Sequence, residues 1–297
     1  MKIGIDLGGS HIGIGLVNEK YEIVDKIEKD WSKKEKEKLW NIIPQTIIEL
    51  INQILERNCL KEIETIGIGF PKSKIINGVV YIDEKIVIDL VSVLQPIYNT
   101  KVYVRNDVKC SGLCEKKIGS LKKYNNALFL TLGTGIGGAY FYQDELMVPN
   151  KYPGLEIGSM VIVKDGKTCK CGRKGCFEAY AAMKIFREKV QKLFKIEKVT
   201  SDIVYELIKN EEKKNEMDYI INEYVDYLAL GLSNLIRILE PDVICIGGSF
   251  VYYKSIFMDK LYNKLKENFK NREIPEIITA QFANDAGIIG ASMLESN

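Results

Sequence analysis

The chain has 297 residues, 46% hydrophobic and 28% charged, with 42 Lys and Arg against 40 Asp and Glu and a formal net charge of +2. That balance leaves no electrostatic footprint for a nucleic-acid or membrane surface, and the length suffices for one large or two modest domains with a sizeable core. No stretch reaches the ~18 apolar residues of a spanning helix and residues 1–6 read as a strand, so neither signal peptide nor anchor is expected and the cytoplasm is the default.

Three strands open the chain: KIGID (2–6), HIGIGLV (11–17) after a Gly-Gly turn, and YEIVDKI (21–27). The run SKKEKEK (32–38), mixed in sign, reads as the solvated start of an amphipathic helix over about 35–58. ETIGIGF (64–70) is the next strand. KVYVRND (101–107) is a short strand whose polar end opens the helix NDVKCSGLCEKK. The order β-β-β-α-β-α-β describes a mixed sheet with helices packed on it.

The pattern recurs. NNALFLTLGTGIGGAYFY (125–142) gives two strands around a Gly-rich turn, and helices follow over about 176–194, 202–209 and 216–240. PDVICIGGSF (241–250) is again strand, turn and helix, and AGIIGASMLE is a short helix with small residues on one face. Two similar halves imply two α/β domains facing each other across a cleft. Residues 1–115 form the first, with helix 286–297 folding back onto it, and residues 116–285 form the second.

Three glycine turns stand out: DLGGS (6–10), GTGIGG (133–138) and IGGS (246–249). Glycine lets the backbone approach an anion, and consecutive amides at a turn can cradle phosphate oxygens. GTGIGG has the spacing of a dinucleotide fingerprint, but a strand follows it where that fingerprint needs a helix. No GK[ST] follows any glycine loop, so the P-loop reading falls too. What remains is a nucleotide held between β-turns of two halves, the arrangement of the actin, hexokinase and sugar-kinase type.

Two carboxylates fit such chemistry. Asp6 ends the first strand beside a glycine turn, where it could hold Mg²⁺ or its water next to phosphates. Asp107 stands where a strand gives way to a helix, a place that capping alone would justify. Its functional reading is the carboxylate that accepts a proton from the attacking hydroxyl in phosphoryl transfer. Seven cysteines, an odd number, suit a reducing compartment. Cys59, Cys110, Cys114 and Cys245 read as small apolar residues, and Cys110 and Cys114 share a helix face. Cys169, Cys171 and Cys176 instead have metal-ligand spacing on a glycine-rich loop, yet a structural zinc site wants four ligands and the chain's single histidine is His11.

Taken in order, these motifs resemble the ROK family (repressor, open reading frame, kinase) over nearly the whole chain. DLGGS resembles its first phosphate motif, with Ser10 where Thr is usual and His11 where Lys is frequent. RND (105–107) is similar to its END, and LTLGTGIGGAYF to its second phosphate segment. PGLEIGSM and CKCGRKGCFEAYAA resemble its sugar-binding and zinc signature, EPDVICIGGSF its adenine-side segment and NDAGIIGASML its closing one. The resemblance implies the two-domain ribonuclease H-like, actin-like ATPase fold and an ATP- and Mg²⁺-dependent kinase acting on a sugar 6-hydroxyl.

By that resemblance Asp107 is the general base, and Asn106, Glu156, Ser159 and Glu178 belong to the sugar site. Gly8, Gly9, Ser10, Gly133, Thr134, Gly135, Gly247 and Gly248 belong to the nucleotide and phosphate site, with Asp6 holding Mg²⁺. Cys169, Cys171 and Cys176 would hold a structural zinc, and a homodimer is expected. Two departures bear on specificity. The family's fourth zinc ligand, a His, is Ser159 here, so zinc is expected to remain with reduced affinity. GFPKSKIINGVVYIDEKIVID (69–89) lacks the Gly after Pro and the Asn-Leu-Pro-like stretch that closes over the sugar. Glucose is the default substrate, with an N-acylhexosamine close behind. The competing expectation is a sugar sensor or regulator without kinase activity, although a first strand at Lys2 leaves no room ahead of it for a helix-turn-helix domain.

Overall fold

The computed structural model describes residues 1–71, 74–82, 86–148, 155–270 and 272–295. Residues 72–73 and 83–85 of the 69–89 segment, Pro153 and Gly154 of PGLEIGSM, and positions 296–297 of the closing helix lie outside the described residues. Two compact units emerge. The first holds Met1–Lys122, Val148 and the chain from Asn284, and the second holds Lys123–Met147 and Leu155–Ala283.

The first unit opens with β1 (Lys2–Leu7), β2 (His11–Val17) and β3 (Ile23–Asp30), an antiparallel meander. β1 and β2 are apolar on both faces and almost wholly buried, whereas β3 alternates half-buried and exposed residues and ends in charge, as suits a sheet edge. The helix expected over 35–58 is two. α1 (Lys33–Glu37) is capped by a Ser32/Glu35 capping box and stops at Lys38, and α2 (Leu39–Arg57) buries Ile43, Ile47, Leu50, Ile51 and Ile54 on one stripe. β4 (Thr65–Phe70) pairs parallel with β1.

A small antiparallel sheet that the sequence reading did not anticipate follows: β5 (Lys74–Ile76), β6 (Val79–Ile82) and β7 (Ile86–Asp89). Its first turn is Asn77-Gly78, both at positive φ (50° and 81°), the twist a two-residue hairpin needs. Then come α3 (Leu90–Tyr98), β8 (Lys101–Asn106) parallel to β4, and α4 (Asp107–Lys117). The main sheet order is β3-β2-β1-β4-β8.

The second unit repeats this order with its own strands. β9 (Ala127–Leu132), β10 (Ile136–Tyr142) and β11 (Glu145–Leu146) form the meander. The helix expected over 176–194 is broken at Ala182, whose backbone is extended, into α5 (Glu178–Ala181) and α6 (Met183–Phe194). α7 (Ser201–Lys209) and α8 (Lys214–Leu239) follow, and β12 (Val243–Gly247), α9 (Lys254–Phe269) and β13 (Glu276–Thr279) complete the unit. The sheet order is β11-β10-β9-β12-β13, with β12 parallel to both neighbours. Phe186, Tyr224, Phe250, Tyr253 and Phe257 form an aromatic core beneath it.

α10 (Ala286–Ser292) closes the chain in the first unit. It sits against the sheet because glycines leave room for backbone: a Cβ on Gly4 or Gly67 would lie 2.0 Å and 1.8 Å from the carbonyls of Ile288 and Ala291. No helix among the described residues is long and apolar enough to cross a membrane.

Candidate active site

In the first unit the C-terminal ends of three parallel strands lie side by side, the edge at which open α/β sheets bind ligands. Asp6 of β1 aligns with Gly69 of β4, and Phe70 aligns with Asn106 of β8. Gly69 makes the room between them: a Cβ there would lie 3.3 Å from the Asp107 Cα and 3.4 Å from the Cys110 sulfur. The buried Cys110 thiol is pushed up by burial and then by the negative charges of both Asp6 and Asp107, so the two carboxylates flank one point.

Asp6 is packed against the first turn of α10, where a Cβ on Gly287 would meet its Oδ2 at 2.4 Å. Burial raises its carboxyl to about 6. A cation beside it would offset that penalty, which fits the role expected for Mg²⁺ in the choice of donor and in electrostatics.

Asp107 does not end the strand, and it does not cap α4. The cap is Asn106, whose Oδ1 accepts the Lys109 N–H (3.3 Å), while its Nδ2 donates to Asp107 Oδ1 (3.0 Å). The Val108 N–H donates to that same oxygen (2.9 Å). The ordinary structural task is therefore assigned to the neighbour, and Asp107 is held in a fixed orientation on the first turn of a helix. Two cations attend it in sequence: Arg105, half-buried, and Lys109, 3% exposed. Burial, and then the Arg105 charge, bring the Lys109 ammonium down to about 8.

The β1–β2 turn is Gly8, Gly9 and Ser10. The Gly8 N–H donates to the His11 carbonyl (2.8 Å), and Ser10 Oγ lies 3.2 Å from His11 Nδ1. Trp31, just past β3, pins the turn twice: its indole N–H donates to the Gly8 carbonyl (3.0 Å) and its backbone N–H to the Ser10 carbonyl (2.9 Å). Nothing lies within 4 Å of where a Gly9 Cβ would be.

The β9–β10 turn in the second unit is the counterpart, again three residues long: Gly133, Thr134 and Gly135. Its closing bond runs from the Gly133 N–H to the Gly135 carbonyl (3.0 Å). The Gly133 carbonyl accepts the Lys184 N–H from the first turn of α6 (3.0 Å), and the Ile136 N–H donates to Glu178 Oε2 (3.0 Å). Glu178, expected at the sugar site, thus stands against this turn, and a Cβ on Gly135 would be 2.1 Å from its carboxylate. Gly247 ends β12, and Gly248 opens the 3-10 turn that follows. Gly248 has φ +71°, and a Cβ there would meet the Leu132 backbone at 2.8 Å, so both conformation and space call for glycine.

Glu156 is exposed and precedes a 3-10 turn, Ile157–Ser159, in which the Ser159 N–H donates to the Glu156 carbonyl (3.0 Å). The chain leaving that turn runs along the cysteine loop: Val161 bridges to Cys176, and the Phe177 N–H donates to the Met160 carbonyl (2.7 Å). Cys169, Cys171 and Cys176 place their sulfurs within 4.8 Å of one another, and among the described residues no His, Asp or Glu joins them. Three sulfurs at that span fit one face of a tetrahedral ion with ~2.3 Å Zn–S bonds. The exposed Cys171 thiol is drawn down to about 6, chiefly by the Arg173 backbone N–H, whereas burial pushes Cys176 up to about 12.

The sequence reading did not find the groove beside Gly248, about 540 Å³, lined among others by Lys184, Arg187, Thr200, Ser249, Tyr252 and Tyr253. Arg187 Nη1 donates to Ser249 Oγ (2.9 Å), and the Tyr253 hydroxyl donates to the Val199 carbonyl (3.1 Å). Ser249 follows the IGG turn directly and was within reach of a motif reading. Arg187 carries no local signal on α6.

The sequence profile of the ROK family matches residues 2–297. The chain is 30% identical to a glucokinase of Thermotoga maritima, with 98% of this chain and 96% of that one covered. It is 25% identical to an N-acetyl-D-glucosamine kinase of Vibrio atlanticus, with 99% of each covered. A xylose repressor of Bacillus subtilis is 24% identical over 98% of this chain and 76% of its own length. Among solved structures, a ROK family glucokinase from Streptomyces griseus in complex with glucose and AMPPNP superposes with a TM-score of 0.79 at 20% identity, covering 98% of each chain. That likeness establishes the fold, the actin-like ATPase and sugar-kinase fold.

Proposed function

Because the chain belongs to the ROK family, we propose that it is an ATP-dependent sugar kinase that transfers a γ-phosphate to a hexose 6-hydroxyl with Asp107 as general base. The observation that carries this reading is the pair of carboxylates beside Gly69: Asp6, which pairs with it on β1, and Asp107, which opens α4 just past β8. Phosphoryl transfer needs little covalent chemistry from a protein: it needs one group to take the hydroxyl proton and others to position and neutralise phosphate charge. Asp107, oriented by the Asn106 amide and the Val108 N–H, takes the proton. Asp6 would hold Mg²⁺, which would supply positive charge to neutralise the phosphates.

Gly8–Ser10 in the first unit, and Gly133–Gly135 and Gly247–Gly248 in the second, are in this reading phosphate-binding turns that offer backbone amides, and within the second unit the groove at Arg187, Ser249 and Tyr252 takes the nucleoside end. Asn106 of the first unit and Glu156, Ser159 and Glu178 of the second take, in this reading, the sugar-binding roles expected of them. Glucose is the first candidate and an N-acylhexosamine the second, in line with the names of the glucokinase and N-acetylglucosamine kinase relatives. Cys169, Cys171 and Cys176 hold a structural zinc whose fourth position is not supplied by the usual histidine, and the working unit is a cytoplasmic homodimer. ADP release measured across glucose, mannose, fructose, N-acetylglucosamine and N-acetylmannosamine tests the reading; turnover on one of them supports it and names the substrate.

A second reading, a sugar-binding regulator without transfer, is favoured by the xylose repressor among the relatives. Sugar binding with no ADP release on any of the five would select it.

A further inference from the structure

We infer that Glu178 is a positioning residue for the second glycine turn, so that the cysteine loop sets the geometry of a phosphate-binding turn as well as that of a sugar contact. The inference rests on the kinase reading above. Three links carry it. Cys176, a buried member of the three-cysteine cluster, is two residues from Glu178, and the intervening Phe177 is fixed from both sides. Its N–H donates to the Met160 carbonyl (2.7 Å), and its ring fills the space over Gly231 of α8, where a Cβ would lie 2.3 Å away. Glu178 then begins α5, and its Oε2 accepts the Ile136 N–H (3.0 Å), the first amide after the turn.

Gly135 supplies the complementary evidence. It has no positive φ, so conformation does not require glycine there. What a side chain would meet is the Glu178 carboxylate, at 2.1 Å. The absence of a Cβ at Gly135 therefore serves the seat of Glu178. The first unit does the same job without charge, through the Trp31 indole on the Gly8 carbonyl.

The test is AMPPNP affinity with Mg²⁺ and no sugar, by calorimetry, on the full chain and on Glu178→Ala, Glu178→Gln and Gly135→Ala. Gln keeps an oxygen to accept the Ile136 N–H and is expected to bind within about twofold of the parent. Losing the acceptor altogether is expected to weaken Glu178→Ala about tenfold or more, and Gly135→Ala, which displaces the carboxylate, should follow it. Unchanged AMPPNP affinity in Glu178→Ala with only the sugar KM raised overturns the inference, as does a Gln variant as weak as Ala. Amide exchange at Ile136 is read on the same four proteins: protection falls in Glu178→Ala and Gly135→Ala and stays in Glu178→Gln. If the parent fails to bind AMPPNP, the kinase reading fails, and exchange at Ile136 still decides whether Glu178 holds the turn.

Discussion

The two units are built on the same sheet and differ in what closes it. Each has a five-stranded order in which the first strand is central, a meander lies on one side and parallel strands on the other. Each joins its first two strands by a three-residue, glycine-containing turn. In the first unit that turn is held by a neighbour in the same meander, Trp31, with neutral hydrogen bonds only. In the second it is held from outside the sheet, by Glu178 and Lys184, which arrive after the cysteine loop. The lesson is that one topology places an anion-ready turn twice. Asp6 and Asp107 stand beside one copy, and the other is supported by residues that follow the three-cysteine loop.

If the second turn depends on the cysteine loop, removing metal should separate the units. Protein prepared without chelator is expected to carry one zinc per chain, and stripping it should lower the unfolding temperature by about 5 °C or more. Amide exchange should rise at Ile136 and Lys184 while Gly8 and Trp31 stay protected. Equal loss in both turns would erase the contrast, and zinc well below one per chain would leave a bare thiol cluster.

Gly248→Ala asks for a side chain at φ +71° against the Leu132 backbone, and a loss of about 1–3 kcal/mol in denaturant unfolding is expected. Trp31→Phe keeps an aromatic side chain but removes the bond to Gly8 and part of the buried ring, which should cost about 1–3 kcal/mol and leave the second turn untouched. A larger loss at Ile136 than at Gly8 in that variant would break the assignment.

The smallest effect is a slope. Lys109 is held down to about 8, so between about pH 8 and its ordinary value near 10.5 the unfolded chain binds the more protons and stability rises with pH. Replacing Lys109 with Met should remove that rise. An unchanged slope would mean that Lys109 keeps an ordinary affinity for its proton.

What the sequence disclosed followed from how local each signal was. Short, nearly continuous apolar runs, several of them beside a glycine turn, located β1, β2, β4, β9, β10 and β12, and the order of the motifs carried the fold. Asn77-Gly78 is as clear a hairpin signal as any in the chain. The departure of the 69–89 segment from the family pattern carries no information on strand pairing, so it does not point to that hairpin. The breaks at Lys38 and Ala182 carry no glycine or proline, so nothing local announces them. β13 is a four-residue edge strand with no alternation to detect. The transfer of capping from Asp107 to Asn106 depends on one residue of register between strand and helix, which composition cannot resolve. The hold of Glu178 on Ile136 joins residues 42 apart and required the fold.

The division of labour between the units is tested most directly by Asp107→Asn. Its steady-state turnover should be measured on whichever sugar the parent phosphorylates, together with its sugar affinity by calorimetry. The account predicts a fall in kcat of about a hundredfold or more with sugar affinity within a few-fold of the parent, because the amide keeps an oxygen for the Val108 N–H but cannot take the proton. Near-normal turnover would contradict it and return Asp107 to a structural role.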